Sequence, residues 1–274
     1  MPPKLGIIAG GGHLPAQLVE AARAQGREVF VLAITGHADA PGLEAVPHAW
    51  VRLGEAGKGI EILQRQGVID LVMAGPVRRP TLADLRPDWR TARFFARLGL
   101  RALGDDNLLR AVVAELESEG FHIVGLHSIL GDILAPEGVW GRHQPDDQAR
   151  ADILRGLEVA RGLGLLDVGQ SVVVQQGIVL GVEAIEGTDA LLQRCATLRR
   201  QGGGGVLVKI CKPGQEKRVD LPTIGQGTVA SAAAAGLSGI AVQAGATVVV
   251  DRPATVAAAD EAGLFLTGVA GGAA

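Results

Sequence analysis

Leu5-Gly6-Ile7-Ile8-Ala9-Gly10-Gly11-Gly12-His13-Leu14-Pro15 (residues 5–15) decides the fold. Its apolar run is too short for a helix and ends in three glycines, which is how a buried strand closes on a tight turn. Pro15 to Gln25 then has helical spacing, with Leu18, Val19 and Ala22 on one face, and Gly26 stops it. Beyond it, Val29 to Ile34 reads as a second buried strand, Ile60 to Gln66 as a helix and Ile69 to Ala74 as a third strand. Strands alternating with helices predict parallel crossovers and a Rossmann-like α/β domain. Thr91 to Gly120 is helical, broken around Gly104-Asp105-Asp106, and Ile123 to Leu126 is a further short strand.

Ala135 to Asp147 reads as a linker, with Pro136, Gly138, Gly141 and Pro145. The expected organisation is residues 1–134 as the N-terminal parallel-sheet domain, 135–147 as linker and 148–274 as a C-terminal mixed-sheet α/β domain. In that second half Ala149 to Gly162 is an amphipathic helix. Ser171 to Gln175 and Ile178 to Glu183 form a hairpin around Gln176-Gly177. Thr188 to Arg200 is helical with Thr188 or Asp189 as its cap. A strand at Val206 to Ile210 and a helix at Thr228 to Ala235 follow. Strands at Gly239 to Val242 and Thr247 to Val250, a helix at Ala254 to Ala262 and a strand at Leu264 to Val269 end the chain.

Composition narrows the function classes. The 274 residues are 47% hydrophobic and only 3% aromatic, enough for two cores packed by aliphatic side chains. Net charge is −3, and neither a basic excess nor stacking aromatics point to nucleic acid. The two cysteines, Cys195 and Cys211, make no metal pair and no framework of bridges, so a reducing, cytoplasmic compartment is expected. The N-terminus shows no signal-peptide pattern. Val229 to Val250 carries no charge, but its serines, glycines and alanines read as helix, turn, strand, turn, strand and not as a membrane span.

Several motifs admit a phosphate-binding reading beside the plainer one of tight turns and solvated loops. Glycines after a first strand, followed by a helix N-terminus, let backbone approach an anion. The dinucleotide fingerprint fails, however. Pro15 stands at its third glycine, and Thr35-Gly36 follows the second strand where a ribose-binding acid belongs. Gly54-Glu55-Ala56-Gly57-Lys58 is no Walker loop. Ala74-Gly75-Pro76-Val77-Arg78-Arg79-Pro80 lies at the mouth of the third strand, where open sheets bind ligands. Lys209 to Thr228 gathers Lys209, Lys212, Gln215, Lys217, Arg218 and Asp220, cations beside a carboxylate that suit pyrophosphate chemistry or else form an exposed, mixed-charge loop. Glu183, Glu186 and Asp189 are close enough in sequence to hold a hard metal, or else to end a strand and cap a helix. His122 and His127 lack partners at zinc spacing and read as structural.

In order along the chain, these pieces resemble one family. They are Gly6 to Pro15, Ala74 to Pro80, Gly104-Asp105-Asp106 with Leu108-Leu109-Arg110, Asp167-Val168-Gly169-Gln170, Val182 to Ala190, and Lys212-Pro213 through Gly225. The family is the UDP-2,3-diacylglucosamine pyrophosphatases of lipid A synthesis, of the cytosolic alpha-proteobacterial type. The resemblance implies hydrolysis of UDP-2,3-diacylglucosamine to UMP and a diacylglucosamine 1-phosphate, with Mg²⁺ as cofactor. It also implies a homodimer, peripheral contact with the inner membrane surface and ligand held between two domains. The implied substrate contacts are Gly11, Gly12, His13, Gly75, Pro76, Val77, Gln170, Thr188, Asp189, Lys212 and Gln215. Asp220 is the implied catalytic acid, with Asp220 and Asp189 as metal ligands. Gln215-Glu216 departs from the Gln-Asp expected of the family, which puts a role for Glu216 in doubt. Two other classes compete: a sugar-nucleotide transferase, and a nucleotide-binding sensor without chemistry.

Overall fold

The computed structural model describes residues 2–39, 43, 45–78, 86–98 and 105–270, with the side chains of Asp105 and Asp106 left aside. Arg79, Pro80 and Gly104 of the sequence motifs lie outside the described residues. The chain forms two compact units: Met1–Asp132 with Glu216–Asp220, and Ile133–Gln215 with Leu221–Ala274.

The first unit is a parallel sheet of β1 (Leu5–Ala9), β2 (Val29–Ile34), β3 (His48–Val51), β4 (Asp70–Ala74) and β5 (His122–Ile123), in the order β3-β2-β1-β4-β5. Period-2 alternation supplies two cores from one sheet. Leu5, Ile7, Ala9, Val31 and Ala33 pack with Leu18, Val19 and Ala22 of helix Leu14–Ala24. Phe30, Leu32 and Ile34 pack on the other face with Ile60 and Leu63 of helix Ala56–Arg65 and Val113 and Leu116 of helix Asp105–Ser118. The chain runs from β1 outward to β3, then returns to place β4 on the other side of β1. That reversal makes the C-terminal ends of β1 and β4 the topological switch point.

Several elements differ from the sequence reading. The exposed edge strand β3 was not anticipated, because only Val51 of its four residues is buried and the apolar signal is weak. The helix expected from Ile60 begins at Ala56. The strand expected at Ile123 to Leu126 shortens to β5 and gives way to a helical turn, His127–Leu130.

The second unit centres on a six-stranded sheet. Its strands are β6 (Gly138–Trp140), β7 (Ser171–Gln175), β8 (Ile178–Val182), β9 (Val206–Lys209), β11 (Gly239–Gln243) and β13 (Phe265–Val269), in the order β6-β13-β11-β9-β7-β8. β9, β11 and β13 are parallel, whereas β6, β7 and β8 pair antiparallel. A separate parallel pair joins β10 (Thr223–Ile224) to β12 (Val248–Val249). The stretch 135–147, read as linker, carries β6, and Ala135 is buried in the core of this unit. Helix Asp147–Leu165 covers one sheet face through Ile153, Leu157 and Ala160, and helices Gly187–Ala196, Gln226–Ala234 and Arg252–Glu261 cover the other. The β7–β8 hairpin turns on Gln176 and Gly177, both at positive φ (55° and 75°). Their amides donate to the buried Asp152 carboxylate at 2.9 and 2.6 Å.

Candidate functional site

At the switch point of the first unit the sequence builds a crossing of two backbones. Gly10 N–H donates to the Ala74 carbonyl at 2.8 Å and Gly11 N–H to the Pro76 carbonyl at 3.0 Å. Only glycine fits here: a Cβ on Gly75, which sits at φ +88°, would lie 2.2 Å from the Gly11 carbonyl oxygen. Gly12 N–H donates to the Asp39 carboxylate at 2.7 Å, and His13 is the N-cap residue of helix Leu14–Ala24. Gly11, Gly12, His13, Gly75, Pro76 and Val77 are thus brought together at the ends of β1 and β4. Sequence reading looked for an acid directly after β2 and missed Asp39. It comes after a further turn, and it meets a glycine amide rather than standing in the fingerprint position.

In the second unit the corresponding chemistry is made by side chains at the C-terminal end of β9. Lys209, its last residue, is 7% exposed, and its ammonium donates to Thr188 Oγ1 at 2.9 Å and to the Thr223 carbonyl at 3.2 Å. Thr188 in turn donates to Glu183 Oε1 at 2.7 Å, with Ser171 Oγ 3.4 Å from the Thr188 hydroxyl. The second oxygen of Glu183 accepts from Gln170 N–H at 3.3 Å. Burying both charges requires such a bridged, hydrogen-bonded chain. Gln170 also accepts from Ile210 N–H through its carbonyl at 3.0 Å, and its side-chain Oε1 is a buried acceptor with no hydrogen-bond partner among the described residues.

Just beyond Lys209 the chain makes a turn whose residues are those a type II turn requires. Pro213 holds the second position, Gly214 the third at φ +79°, and Gln215 N–H donates to the Lys212 carbonyl at 3.1 Å. The Gln215 side chain folds back and accepts from Lys212 N–H at 2.9 Å and from the Cys211 thiol at 3.2 Å. Lys212 is therefore presented by a rigid turn, and its ammonium pairs with Asp167 Oδ1 at 2.7 Å. Gln170 and Thr188 belong to one polar network through Glu183, and Lys212 and Gln215 to a second one beyond the end of β9.

The acids distribute differently from the sequence expectation. Glu183 faces Thr188, while the exposed Glu186 pairs with Arg194 at 2.7 Å, and its carboxyl is held below the usual range first by its own backbone N–H and then by Arg194. Asp189 accepts from Ser231 Oγ at 3.2 Å. The three close acids thus turn to separate partners instead of converging. Helix Gly187–Ala196 starts with Glu186 as N-cap and no side-chain cap bond, so Thr188 and Asp189 lie inside it and do not cap it. His122 pairs with Asp70 Oδ1 at 2.9 Å, at the opposite end of β4 from the switch point. Among the described residues no group of three or more His, Cys, Asp or Glu side chains is arranged to hold a metal ion.

Asp220 closes the short segment Glu216–Asp220, which belongs to the first unit. The segment is fixed by Arg218, whose guanidinium bonds Glu216 at 2.9 Å and Glu117 of helix Asp105–Ser118 at 2.6 Å, and by Val219 packed on the core. The Arg218 hydrogen bonds hold the Glu216 carboxyl below its ordinary value and push the guanidinium up. Glu216 therefore serves to pin the loop, and Asp220 N–H donates to the Glu216 carbonyl at 3.0 Å. Lys209 was singled out in sequence only as one cation among several. Nothing local marks it as the buried member, since its burial depends on Thr188 and Thr223 coming from distant segments.

Two family models together match most of the chain. Residues 4–133 match the model of the LpxI N-terminal domain and residues 136–267 that of the LpxI C-terminal domain. A UDP-2,3-diacylglucosamine pyrophosphatase LpxI of Caulobacter vibrioides is 47% identical over 273 residues, covering 97% of each chain. Among solved structures, a CobK precorrin-6A reductase overlaps with TM-score 0.32 at 13% identity, over 97% of this chain and 89% of that one.

Proposed function

Because the chain belongs to the LpxI family through both of its domains, we infer that it is a hydrolase of UDP-2,3-diacylglucosamine, acting in lipid A biosynthesis. The observation that carries this is the 47% identity extending over 97% of both chains, which leaves no domain of the relative without a counterpart here. The products are UMP and 2,3-diacylglucosamine 1-phosphate. Water oxygen bonds to one phosphorus while the bond from that same phosphorus to the bridging oxygen breaks; the bridging oxygen stays on the other phosphorus, and both fragments leave as phosphomonoesters.

The site residues are proposals within that reading. Gly11, Gly12, His13, Gly75, Pro76, Val77, Gln170, Thr188, Asp189, Lys212 and Gln215 are proposed substrate contacts. Lys212 is the cation proposed to meet the phosphates. Its position at a strand end supports this, as does its rigid turn, because fixed cations offset charge that develops on phosphoryl oxygens. Asp220 is proposed as the acid that orients the attacking water. The pinned loop that carries it supports that role. Mg²⁺ is proposed as cofactor. The described residues offer no three-acid cage, so a bound Mg²⁺ would depend on one or two carboxylates, Asp220 foremost, completed by substrate phosphates. Bound there, it would supply charge neutralisation. A cytoplasmic homodimer that touches the inner membrane surface is proposed from the same family resemblance. Among the described residues no helix is long and apolar enough to cross a membrane.

The test is UMP release by purified wild-type and Asp220→Ala protein, with and without added sugar or alcohol acceptors. The expected result is acceptor-independent release by wild type, and loss of about 10³-fold or more in Asp220→Ala with circular dichroism and KM retained. Release that needs an acceptor would make the protein a transferase, and tight binding without release would make it a sensor. Near wild-type release by Asp220→Ala would remove that residue from the chemistry.

A further inference from the structure

The end of helix Asp147–Leu165 breaks two local rules at one residue. The chain leaves the helix through a Schellman pattern, with Asp167 N–H donating to the Gly164 carbonyl and Val168 N–H to the Leu163 carbonyl, both at 3.1 Å. The position filled by Asp167 is the one that glycine ordinarily holds, because it is left-handed. Asp167 sits there at φ +53°. A carboxylate at a helix C-terminus also opposes the helix macrodipole. Residues that violate local preference in a well-packed unit are where function is to be sought. What the aspartate has that glycine lacks is its carboxylate, and that group pairs with Lys212 Nζ at 2.7 Å, the two side chains being 29% and 10% exposed. The backbone on either side is fixed as well. A Cβ on Gly164 would lie 2.7 Å from Pro213 and 3.3 Å from the Lys212 Cα, so the helix end is seated directly on the Lys212-Pro213 turn.

We propose that Asp167 is a positioning residue: from an unfavourable backbone conformation it holds the Lys212 ammonium in one orientation before substrate arrives. This rests on the reading of Lys212 as a phosphate contact. An ammonium on a four-carbon stem loses rotamer freedom when it binds an anion. A fixed carboxylate beneath it removes that cost in advance.

Asp167→Gly separates this from a structural role, because glycine satisfies the left-handed position and removes only the side chain. The expected result is a thermal midpoint equal to or above wild type, KM for UDP-2,3-diacylglucosamine raised about tenfold and kcat within about twofold. In the Lys212→Met background, Asp167→Gly should add nothing to KM. Asp167→Asn, which tolerates positive φ and keeps an acceptor without the charge, should raise KM less, and it too should add nothing beside Lys212→Met. It carries the test if the glycine variant fails to fold. Wild-type KM in Asp167→Gly, or in Asp167→Asn where that variant carries the test, would overturn the proposal. So would a KM effect that multiplies with that of Lys212→Met. Wild-type KM in Lys212→Met would instead remove Lys212 from phosphate recognition, and the positioning role with it. UMP release by every variant reports the pyrophosphatase reading separately.

Discussion

At the ends of β1 and β4 the first unit offers backbone. Its glycine amides bond to the carbonyls of Ala74 and Pro76 and to the Asp39 carboxylate, and its shape is set by what cannot fit. At the end of β9 the second unit offers side chains, with Lys209 buried on a threonine and a carbonyl and Lys212 presented on a proline-glycine turn. Both occupy the strand ends where open α/β sheets place their ligands. The difference lies in what a mutation reaches. In the backbone-built region a substitution damages the fold first and activity through it. In the side-chain-built region it can remove chemistry and leave the fold standing.

The largest effect that would test this contrast belongs to Gly75→Ala. A Cβ 2.2 Å from the Gly11 carbonyl, on a residue at φ +88°, should cost about 3–5 kcal/mol in urea unfolding, with activity falling in proportion to folded protein. A stable but inactive Gly75→Ala protein would break the comparison. Lys209→Met comes next. It leaves the Thr223 carbonyl and Thr188 without their donor in a buried site, a loss of about 1–3 kcal/mol by the same measurement. Turnover should fall as Thr188 and Glu183 lose their register.

Lys212→Met should sharpen the contrast from the other side. Stability should change by less than about 1 kcal/mol, since the turn is held by Pro213, Gly214 and Gln215, while KM rises about 10–100-fold in steady-state UMP release. The smallest effect is electrostatic. The Glu216 carboxyl is depressed chiefly by its Arg218 hydrogen bonds, so its contribution to stability is full above the ordinary glutamate range and disappears as pH falls through the lowered folded value. The pair is partly exposed, so the contribution should be under about 1 kcal/mol. In Arg218→Met that acid-side dependence should flatten in an unfolding titration.

Much of the fold is legible in the sequence, for physical reasons that differ by region. Buried strands such as Leu5–Ala9 and Val29–Ile34 are continuous apolar runs, and positive-φ stops such as Gly26 and Gly236 mark helix ends. Two edge strands are not legible in that way: β3 exposes most of its side chains, and β6 is a three-residue strand among prolines and glycines. The two glycine runs could each be seen as a motif, because each is local, whereas their crossing depends on β1 lying beside β4. The Lys209-Thr188-Glu183 chain could not, because Lys209 ends β9 and reaches the neighbouring Glu183 and Thr188 only through sheet order. Asp167 was visible as part of a motif, but its left-handed backbone and its hold on Lys212 depend on where the helix ends.

The claim that most needs testing is that water is the acceptor and the pyrophosphate bridge is the bond cut. Turnover of UDP-2,3-diacylglucosamine in ¹⁸O-labelled water, with mass spectrometry of both products, measures this directly. Hydrolysis at the bridge gives UMP and the diacylglucosamine 1-phosphate in equal amounts, with a single ¹⁸O atom gained by one of the two phosphates in each turnover. Unlabelled products, or no UMP until an acceptor is added, would contradict it.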